Sequence, residues 1–575
     1  MGLTSASRTF QLLKDLFDVK TSTNSYLPTP CEKVHLPLTP VEAPFPRCTP
    51  EEAGISSDHI RRFLEELEKD SELYMQNVMI LRRGKVVCEA SFQGQSLQAA
   101  KYTFSACKSV TSLAIGLLID DGLLSTSSKI VDLLEEAGGA NAPRKLRSLT
   151  VEDLLTMRSG IQFAEGESLA ESDWIRGSLS ASVKGDPGEE FHYNSLNTYL
   201  LSVIVCRLTG GSMLQFLNNR LFEPMGITNV HWETCPLGYE KGGWGLYIRM
   251  EDLMKLGYLV MNEGRWNGQQ LISQEYIRAA TTAHATPPPG IGDYNYGYQI
   301  WVGRSEHSFL FNGMLGQNIL GFPDTGIIVA TNAGADTDYQ ESRYFEIVSR
   351  YFGGSFPDTL PGNPSANDRL LETIGLLSSY QRPVAALSSS SALFMHRSFT
   401  TQDSKAPSTG LLPVLLQILH NNYSSGLRSV ALSEKNGLPE LIYREQESLY
   451  RIPIGLGRPV ISEVTFRGDT YQISSLGRFT HDEEERPVFY IRLEFLETPC
   501  VRIIKLIADK NHMILRQSET PGIPYVYRKL LAAAEQPLYR PLLLVALGGT
   551  EADYLLYKTK QLLSPEILLT DESSQ

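Results

Sequence analysis

The segment Phe104 to Asp121, with Ser109-Val110-Thr111-Ser112-Leu113-Ala114-Ile115-Gly116-Leu117-Leu118-Ile119 inside it, is apolar nearly all the way round a helical wheel. A helix with no polar face has to be surrounded by protein. The chain must therefore build a core deep enough to bury one helix on every side, and its 575 residues allow that. At roughly 150 residues per domain the length corresponds to about four units, or two to three if one is a large enzyme fold. Hydrophobic residues at 42% and charged residues at 20% match ordinary globular usage, which excludes a wholly disordered, collagen-like or coiled-coil chain.

Charge and cysteine usage narrow the partners. The formal net charge is −13 and no basic patch offsets it, so a nucleic-acid partner is not expected. No apolar stretch approaches the length of a membrane span, and the densest runs, such as Leu411 to Leu419, are far too short. The first twenty residues lack a continuous apolar region and a small-residue cleavage site, and Ala6 stands where a myristoylation signal wants Ser or Thr. The seven cysteines (31, 48, 88, 107, 206, 235 and 500) are odd in number and lack metal-ligand spacing, and the ten histidines form no H-E-x-x-H pattern. These features predict a cytoplasmic protein with no disulfide framework, no membrane partner, no metal and no cofactor.

Along the chain, seven prolines between 27 and 50 exclude regular helix and predict an extended arm, so residues 1–45 read as an N-terminal extension. The fold proper begins near Pro50. Ser56 or Ser57 caps a helix with the apolar stripe Ile60, Phe63, Leu64 and Leu67, and Val78–Leu81 and Val86–Cys88 form a hairpin around Gly84. Residues 145–275 read as mostly helical, with Leu149–Leu155 and Asn197–Leu208 the clearest segments. Strands return at Tyr298–Val302, Phe309–Phe311, Gln317–Phe322 and Gly326–Thr331, and an amphipathic helix near 339–352 closes the unit. Strands at both ends with helices between them predict an α+β domain over 46–355, its antiparallel sheet completed by both sequence ends and packed against an all-helical region. Pro/Gly breaks at 356–367 and 388–410 place a linker with a short helix at 356–410. Period-two segments such as Val488–Phe495 predict a C-terminal mainly-β domain, a sandwich or barrel, over 411–575 with a tail.

Chemistry enters where the apolar helix starts. Ser105-Ala106-Cys107-Lys108 is an S-x-x-K motif, and residues three apart share a helix face, so hydroxyl and amine can meet. A serine hydroxyl becomes a nucleophile when a base takes its proton, and an amine surrounded by apolar helix can lose enough basicity to serve. The helix N-terminus adds N–H donors for an oxyanion. Cys107, two positions from Ser105, points elsewhere and reads as a core thiol. His192, next to Tyr193 in an extended segment, faces the opposite side.

In order along the chain stand Pro50-Glu51-Glu52-Ala53-Gly54-Ile55, the hairpin, the S-x-x-K helix, Leu154-Leu155-Thr156-Met157-Arg158-Ser159-Gly160, Pro187-Gly188, Phe191-His192-Tyr193 and Leu221-Phe222-Glu223-Pro224-Met225-Gly226-Ile227. Gly243-Trp244-Gly245-Leu246, Trp266-Asn267-Gly268, Tyr296-Gly297-Tyr298 and Gly313-Met314-Leu315-Gly316-Gln317 continue the series. Over roughly 46–355 this order resembles the serine β-lactamase-related hydrolases: class C β-lactamases, DD-peptidases, β-lactamase-fold esterases and aminohexanoate-dimer hydrolases. The resemblance implies Ser105 as nucleophile, with Lys108 and Tyr193, the head of Tyr193-Asn194-Ser195, as the proton-handling pair. Which of the two takes the proton first stays open. It also implies an oxyanion hole from the backbone N–H groups of Ser105 and Met314, and substrate contacts at Ser195, Asn312, Gly313, Trp174 and Trp244. The C-terminal domain resembles, weakly, the lipocalin-like barrels appended to some relatives; covering the cleft, restricting substrate size and mediating homo-oligomers are its candidate roles.

One motif departs from the family pattern. Aligning Gly313 with the glycine of Lys-Thr-Gly or His-x-Gly puts Phe311 and Asn312 where a cation and its neighbour stand in lactam-acting members. The expected function is accordingly a serine hydrolase of the esterase or amidase type acting on a small ester or amide with a neutral or partly apolar acyl group. The alternatives are a β-lactamase or D-amino-acid peptidase, and a non-catalytic binding module on the same fold.

Overall fold

The computed structural model describes Lys14 and residues 33–163, 165–168, 171–289, 293–304, 307–336, 343–379, 389–401, 410–446, 448–509, 512–535 and 539–572. The chain divides into two compact units, the first formed by Leu36–Ser91 and Leu97–Gly375, the second including Phe92–Ser96 and Leu376–Gln575. Most of the expected N-terminal extension and the start of the expected helix at 339 lie outside the described residues.

In the first unit, helix α1 (Ser57–Lys69) starts at Ser56, whose side chain accepts from the His59 amide, and buries Ile60, Phe63, Leu64 and Leu67. Strands β1 (Met75–Arg82) and β2 (Lys85–Ser91) form the expected hairpin. A 3-10 turn at Phe104–Ala106 leads into α2 (Cys107–Asp120), which is buried from Cys107 to Leu118. The uniformly apolar segment is thus the central helix. Helices α3 (Val151–Leu155), α4 (Ser195–Thr209) and α5 (Met250–Met261) follow. The 145–275 region is less purely helical than its sequence suggests, because a short strand at Leu246–Ile248 pairs with Lys101–Tyr102 on one side and with His231–Trp232 on the other.

Five strands close the unit: β3 (Tyr294–Tyr296), β4 (Trp301–Gly303), β5 (Phe309–Gly313), β6 (Gln317–Phe322) and β7 (Ile327–Ala333). Among the described residues they join the hairpin in one seven-stranded sheet of order β2-β1-β7-β6-β5-β4-β3. β1 runs antiparallel to β7, Val78 opposite Thr331, so the two sequence ends complete the sheet. Side chains alternate across its faces. Met79, Phe309, Phe311, Ile319, Ile328 and Ala330 enter the core shared with α2 and α5, while Ile80, Leu310 and Val329 are fully buried besides. Helix α6 (Arg343–Phe352) meets α1 through Phe63 and Phe352, whose ring centroids are 4.9 Å apart.

The strand expected at Tyr298–Val302 begins only at Trp301. Residues 297–300 form a turn, and Gln299 has φ +59°, a left-handed conformation uncommon for a residue with a side chain. Tertiary hydrogen bonds hold it there: the Gln299 backbone amide donates to Leu155 O, and its side-chain Nε2 lies 2.9 Å from both Leu154 O and Leu155 O of α3.

The expected linker contributes more than a short helix. It holds α7 (Pro364–Ser378) and strand β8 (Arg397–Thr401), and the expected tail contributes three helices and a final strand. The second unit's eleven-stranded sheet comprises β8, β9 (Leu427–Lys435), β10 (Leu438–Glu445), β11 (Ser448–Pro453), β12 (Gly455–Leu456), β13 (Val460–Phe466), β14 (Asp469–His481), β15 (Pro487–Phe495), β16 (Val501–Asp509), β17 (His512–Thr520) and β18 (Glu566–Asp571). Its order is β11-β10-β9-β8-β18-β17-β16-β15-β14-β12, with β13 on β14. The sheet is barrel-like around a core to which β15 sends Phe489, Ile491, Leu493 and Phe495, the alternate residues of its period-two pattern. β18 pairs with β8 and β17, so segments that read as linker and tail are neighbouring strands inside the sheet.

Candidate active site

The 3-10 turn that carries Ser105 is shaped by its neighbours. Thr103 donates through both its amide and its hydroxyl to Leu246 O, at 2.9 Å each. Phe104 has φ +47°, a costly conformation for an aromatic residue, and is held by an edge-to-face contact of 4.7 Å with Tyr102. Backbone strain of this kind is stored beside reactive groups when packing over-determines it. Ser105 is half-buried at the start of α2.

Lys108, one turn on, is only 1% exposed. Its Nζ lies 2.7 Å from Ser105 Oγ, 2.7 Å from Ser195 Oγ and 2.7 Å from the Gly243 carbonyl oxygen. Burial pushes the amine down from its usual value to about 8, against the opposing pull of the Glu165 carboxylate. The carbonyl can only accept, so one N–H is committed to Gly243. A neutral amine then has one further N–H and a lone pair for the two serine hydroxyls. This arrangement can take a proton from Ser105.

The second helix brings the rest. Asn194 caps α4 with its side-chain oxygen and holds Ile161 O and Phe163 O with its Nδ2, at 3.0 Å each, so it serves the backbone. That fixes Tyr193 and Ser195 on either side. Tyr193 is half-buried, and its ring face covers the amine, with Nζ 4.9 Å from the ring centroid. Trp301 stacks on Tyr193 with centroids 5.8 Å apart and planes inclined by 23°, and Tyr296 meets it edge-on.

Strand β5 supplies the third side. A Cβ added to Gly313 would lie 2.2 Å from Thr103 O, so only glycine lets the strand end sit this close to the Ser105 turn. Met314 opens the turn that follows, with Leu315 at φ +64° and Gly316 at φ +94°. Phe311 is fully buried in the core. Asn312, on the opposite pleat, donates to Asn318 Oδ1 at 2.7 Å, and this cross-strand pair is what the structure shows its side chain doing.

Residues 60–346 match the family model described as Beta-lactamase. This region belongs to the serine β-lactamase-related family. Among the relatives of the β-lactamase-family domain, the 6-aminohexanoate-dimer hydrolase of Paenarthrobacter ureafaciens is 24% identical over 323 residues, covering 50% of this chain and 81% of its own length. Protein flp of Staphylococcus aureus (strain COL) is 24% identical over 193 residues, 29% of this chain and 38% of its own. A solved penicillin-binding protein homologue from Pyrococcus abyssi, described as octameric, aligns with TM-score 0.42 and 17% identity over 78% of this chain and all of its own (100%). Members of the family are generally serine hydrolases.

Within the β-lactamase-family domain the structure brings Ser105, Lys108, Tyr193 and Ser195 together. Trp174 and Trp244 stack at 5.4 Å and 24°, with Trp174 buried in the core and Trp244 adjoining Gly243. Cys107 points away from Ser105, its Sγ 3.3 Å from Gly242 O, and burial pushes its thiol up to about 12. The His192 side chain is exposed. Sequence reasoning missed the Gly243 carbonyl, Trp301 and Glu165. A backbone acceptor leaves no residue-type signature, and acidic or aromatic residues are too common to single out without contacts.

Proposed function

We propose that this chain is a serine hydrolase that cleaves a small ester or amide through an acyl-enzyme on Ser105. The observation that carries the reading is a buried amine, 2.7 Å from the serine hydroxyl, whose affinity for protons is lowered to about 8 by its surroundings. In the proposed reaction Ser105 Oγ bonds to the substrate carbonyl carbon while its proton passes to the Lys108–Tyr193 pair. The backbone N–H groups of Ser105 and Met314 receive the oxyanion. The bond to the leaving oxygen or nitrogen then breaks as the pair returns the proton to it. Water repeats the sequence and frees Ser105.

The substrate side of the proposal rests on Phe311, whose ring is buried in the core where a cation would have held a substrate carboxylate. That favours a neutral or partly apolar acyl group over an anionic lactam. The name of the Paenarthrobacter relative supports amide hydrolysis as one branch of this chemistry. A fluorophosphonate probe should label the wild-type protein and not Ser105→Ala, and equal labelling of both would reject the assignment. Turnover of nitrocefin at a rate matching the best ester would transfer the proposal to the lactam class.

A further inference from the structure

The turn between β3 and β4 is buried from residue 297 to 300. Gln299 is 1% exposed and spreads its four polar groups over three helices. Its amide donates to Leu155 O at 3.1 Å, and its Nε2 is shared between Leu154 O and Leu155 O of α3. Its carbonyl accepts from Ser109 Oγ of α2 at 2.8 Å. Its Oε1 accepts from Thr198 Oγ1 of α4 at 2.6 Å. Ser109 directly follows Lys108, and Thr198 lies one turn beyond Ser195. One left-handed residue therefore ties together the helix that carries Lys108, the helix that follows Tyr193 and the α3 segment between them.

Two residues on, the same segment delivers Trp301 to the Tyr193 ring. Trp301 is 3% exposed, pairs with Leu310 of β5, and meets Tyr296 edge-on at 4.7 Å. The Tyr193 ring thus has the Lys108 amine and the Trp301 indole as neighbours, and Trp301 is anchored by the sheet.

We propose that the turn Tyr296–Trp301 is a clamp that sets the separation of Tyr193 and Lys108, with Gln299 and Trp301 as positioning residues that act through Ser109, Thr198 and the Tyr193 ring. The proposal builds on the acyl-enzyme reading of the same site. Its physical content is that the reacting geometry is over-determined from one point, which suits chemistry in which an ångström of misplacement costs about a hundredfold in rate.

The test uses the full-length protein with Trp301→Phe, Trp301→Ala and Gln299→Leu, each checked for a native thermal transition, with two readouts. One is the rate of fluorophosphonate attack on Ser105. The other is the titration of Lys108, read by competitive trace acetylation and peptide mass spectrometry, which does not depend on Ser105 reacting. The groups that bear on this amine are Glu165 from the neighbouring short helix, Cys107 on its own helix, and Tyr193. Loss of the indole releases the Tyr193 ring that covers the amine, so Trp301→Ala should move its midpoint upward, by about one pH unit if roughly half of the burial effect is lost. Trp301→Phe should restore most of it. Gln299→Leu and Trp301→Ala should each slow Ser105 labelling about tenfold or more. An unshifted Lys108 midpoint in both of these variants overturns the clamp, whether or not Ser105 is labelled. Wild type unlabelled with the midpoint shifting as expected would sink the acyl-enzyme reading and leave the clamp standing. A variant that loses its thermal transition is replaced by Trp301→Tyr or Gln299→Asn and judged by the same midpoint.

Discussion

Lys108 meets the face of the Tyr193 ring, its Nζ 4.9 Å from the centroid. The ring face favours an ammonium, while burial disfavours it. Burial lowers the amine to about 8 against the opposing pull of the Glu165 carboxylate, which leaves it poised between its two protonation states close to neutral pH.

A pH profile follows from that balance. Ser105 must meet a neutral Lys108, so its acylation rate should rise about tenfold per unit below pH 8 and level off above it. Stopped-flow burst kinetics with p-nitrophenyl esters from pH 6 to 10 measure this. A rate flat across the range would remove Lys108 from the proton path.

The same group should leave a mark on stability. A lysine whose folded value is depressed from 10.5 to about 8 binds fewer protons folded than unfolded between those values, so its contribution to stability rises with pH across this window. Lys108→Met should abolish that increment and lower Ser105 acylation by about a hundredfold or more. Urea midpoints of both proteins at pH 7.5 and 10 give the comparison, and the wild type should gain more than the variant.

Ser195 should matter for orientation rather than for proton transfer itself. Its Oγ is 2.7 Å from Lys108 Nζ. Ser195→Ala removes one of three partners and should slow acylation by about tenfold, the loss of one hydrogen bond to a charged or charging group. A fall as large as that of Lys108→Met would instead make Ser195 part of the proton path.

Central packing can be tested at Gly116, inside α2. Alanine there gains about 1 kcal/mol of helix propensity. Its Cβ would lie 2.4 Å from a ring carbon of the buried Tyr276, whose hydroxyl is fixed 2.8 Å from Ser112 O. Overpacking costs about 1–3 kcal/mol or more. Gly116→Ala should therefore be net destabilising, by up to about 2 kcal/mol in chemical denaturation, despite the better helix former.

In the second unit Arg502 is fully buried, 2.8 Å from Glu519, and donates to Leu411 O at 3.2 Å and Leu412 O at 3.0 Å. Arg502→Met strands a buried carboxylate and two carbonyls and should cost about 3–5 kcal/mol. Calorimetry of the full chain should show the loss as a lowered transition temperature.

Much of the fold in both units was legible because local rules and tertiary needs agreed. The apolar stretch after Phe104 had nowhere to go but the core, Ser56 and the stripe from Ile60 to Leu67 set α1, and period two exposed Phe489 to Phe495 as a strand with one face inward. The spacing of Ser105 and Lys108 on one helix face needed only the pitch of an α-helix. What the order of residues could not say is where distant segments meet. Gln299 lies in a run that reads as strand, yet it turns left-handed because Ser109, Thr198 and the Leu154–Leu155 carbonyls offer it more hydrogen bonds than a sheet edge would. Strands β8 and β18 were hidden in stretches that read as linker and tail, since pairing 170 residues apart leaves no trace in local periodicity. The reactive pair was written into one helical turn; its third partner, the Gly243 carbonyl, is a backbone atom brought there by the fold alone, because every residue carries one and only burial makes this one matter.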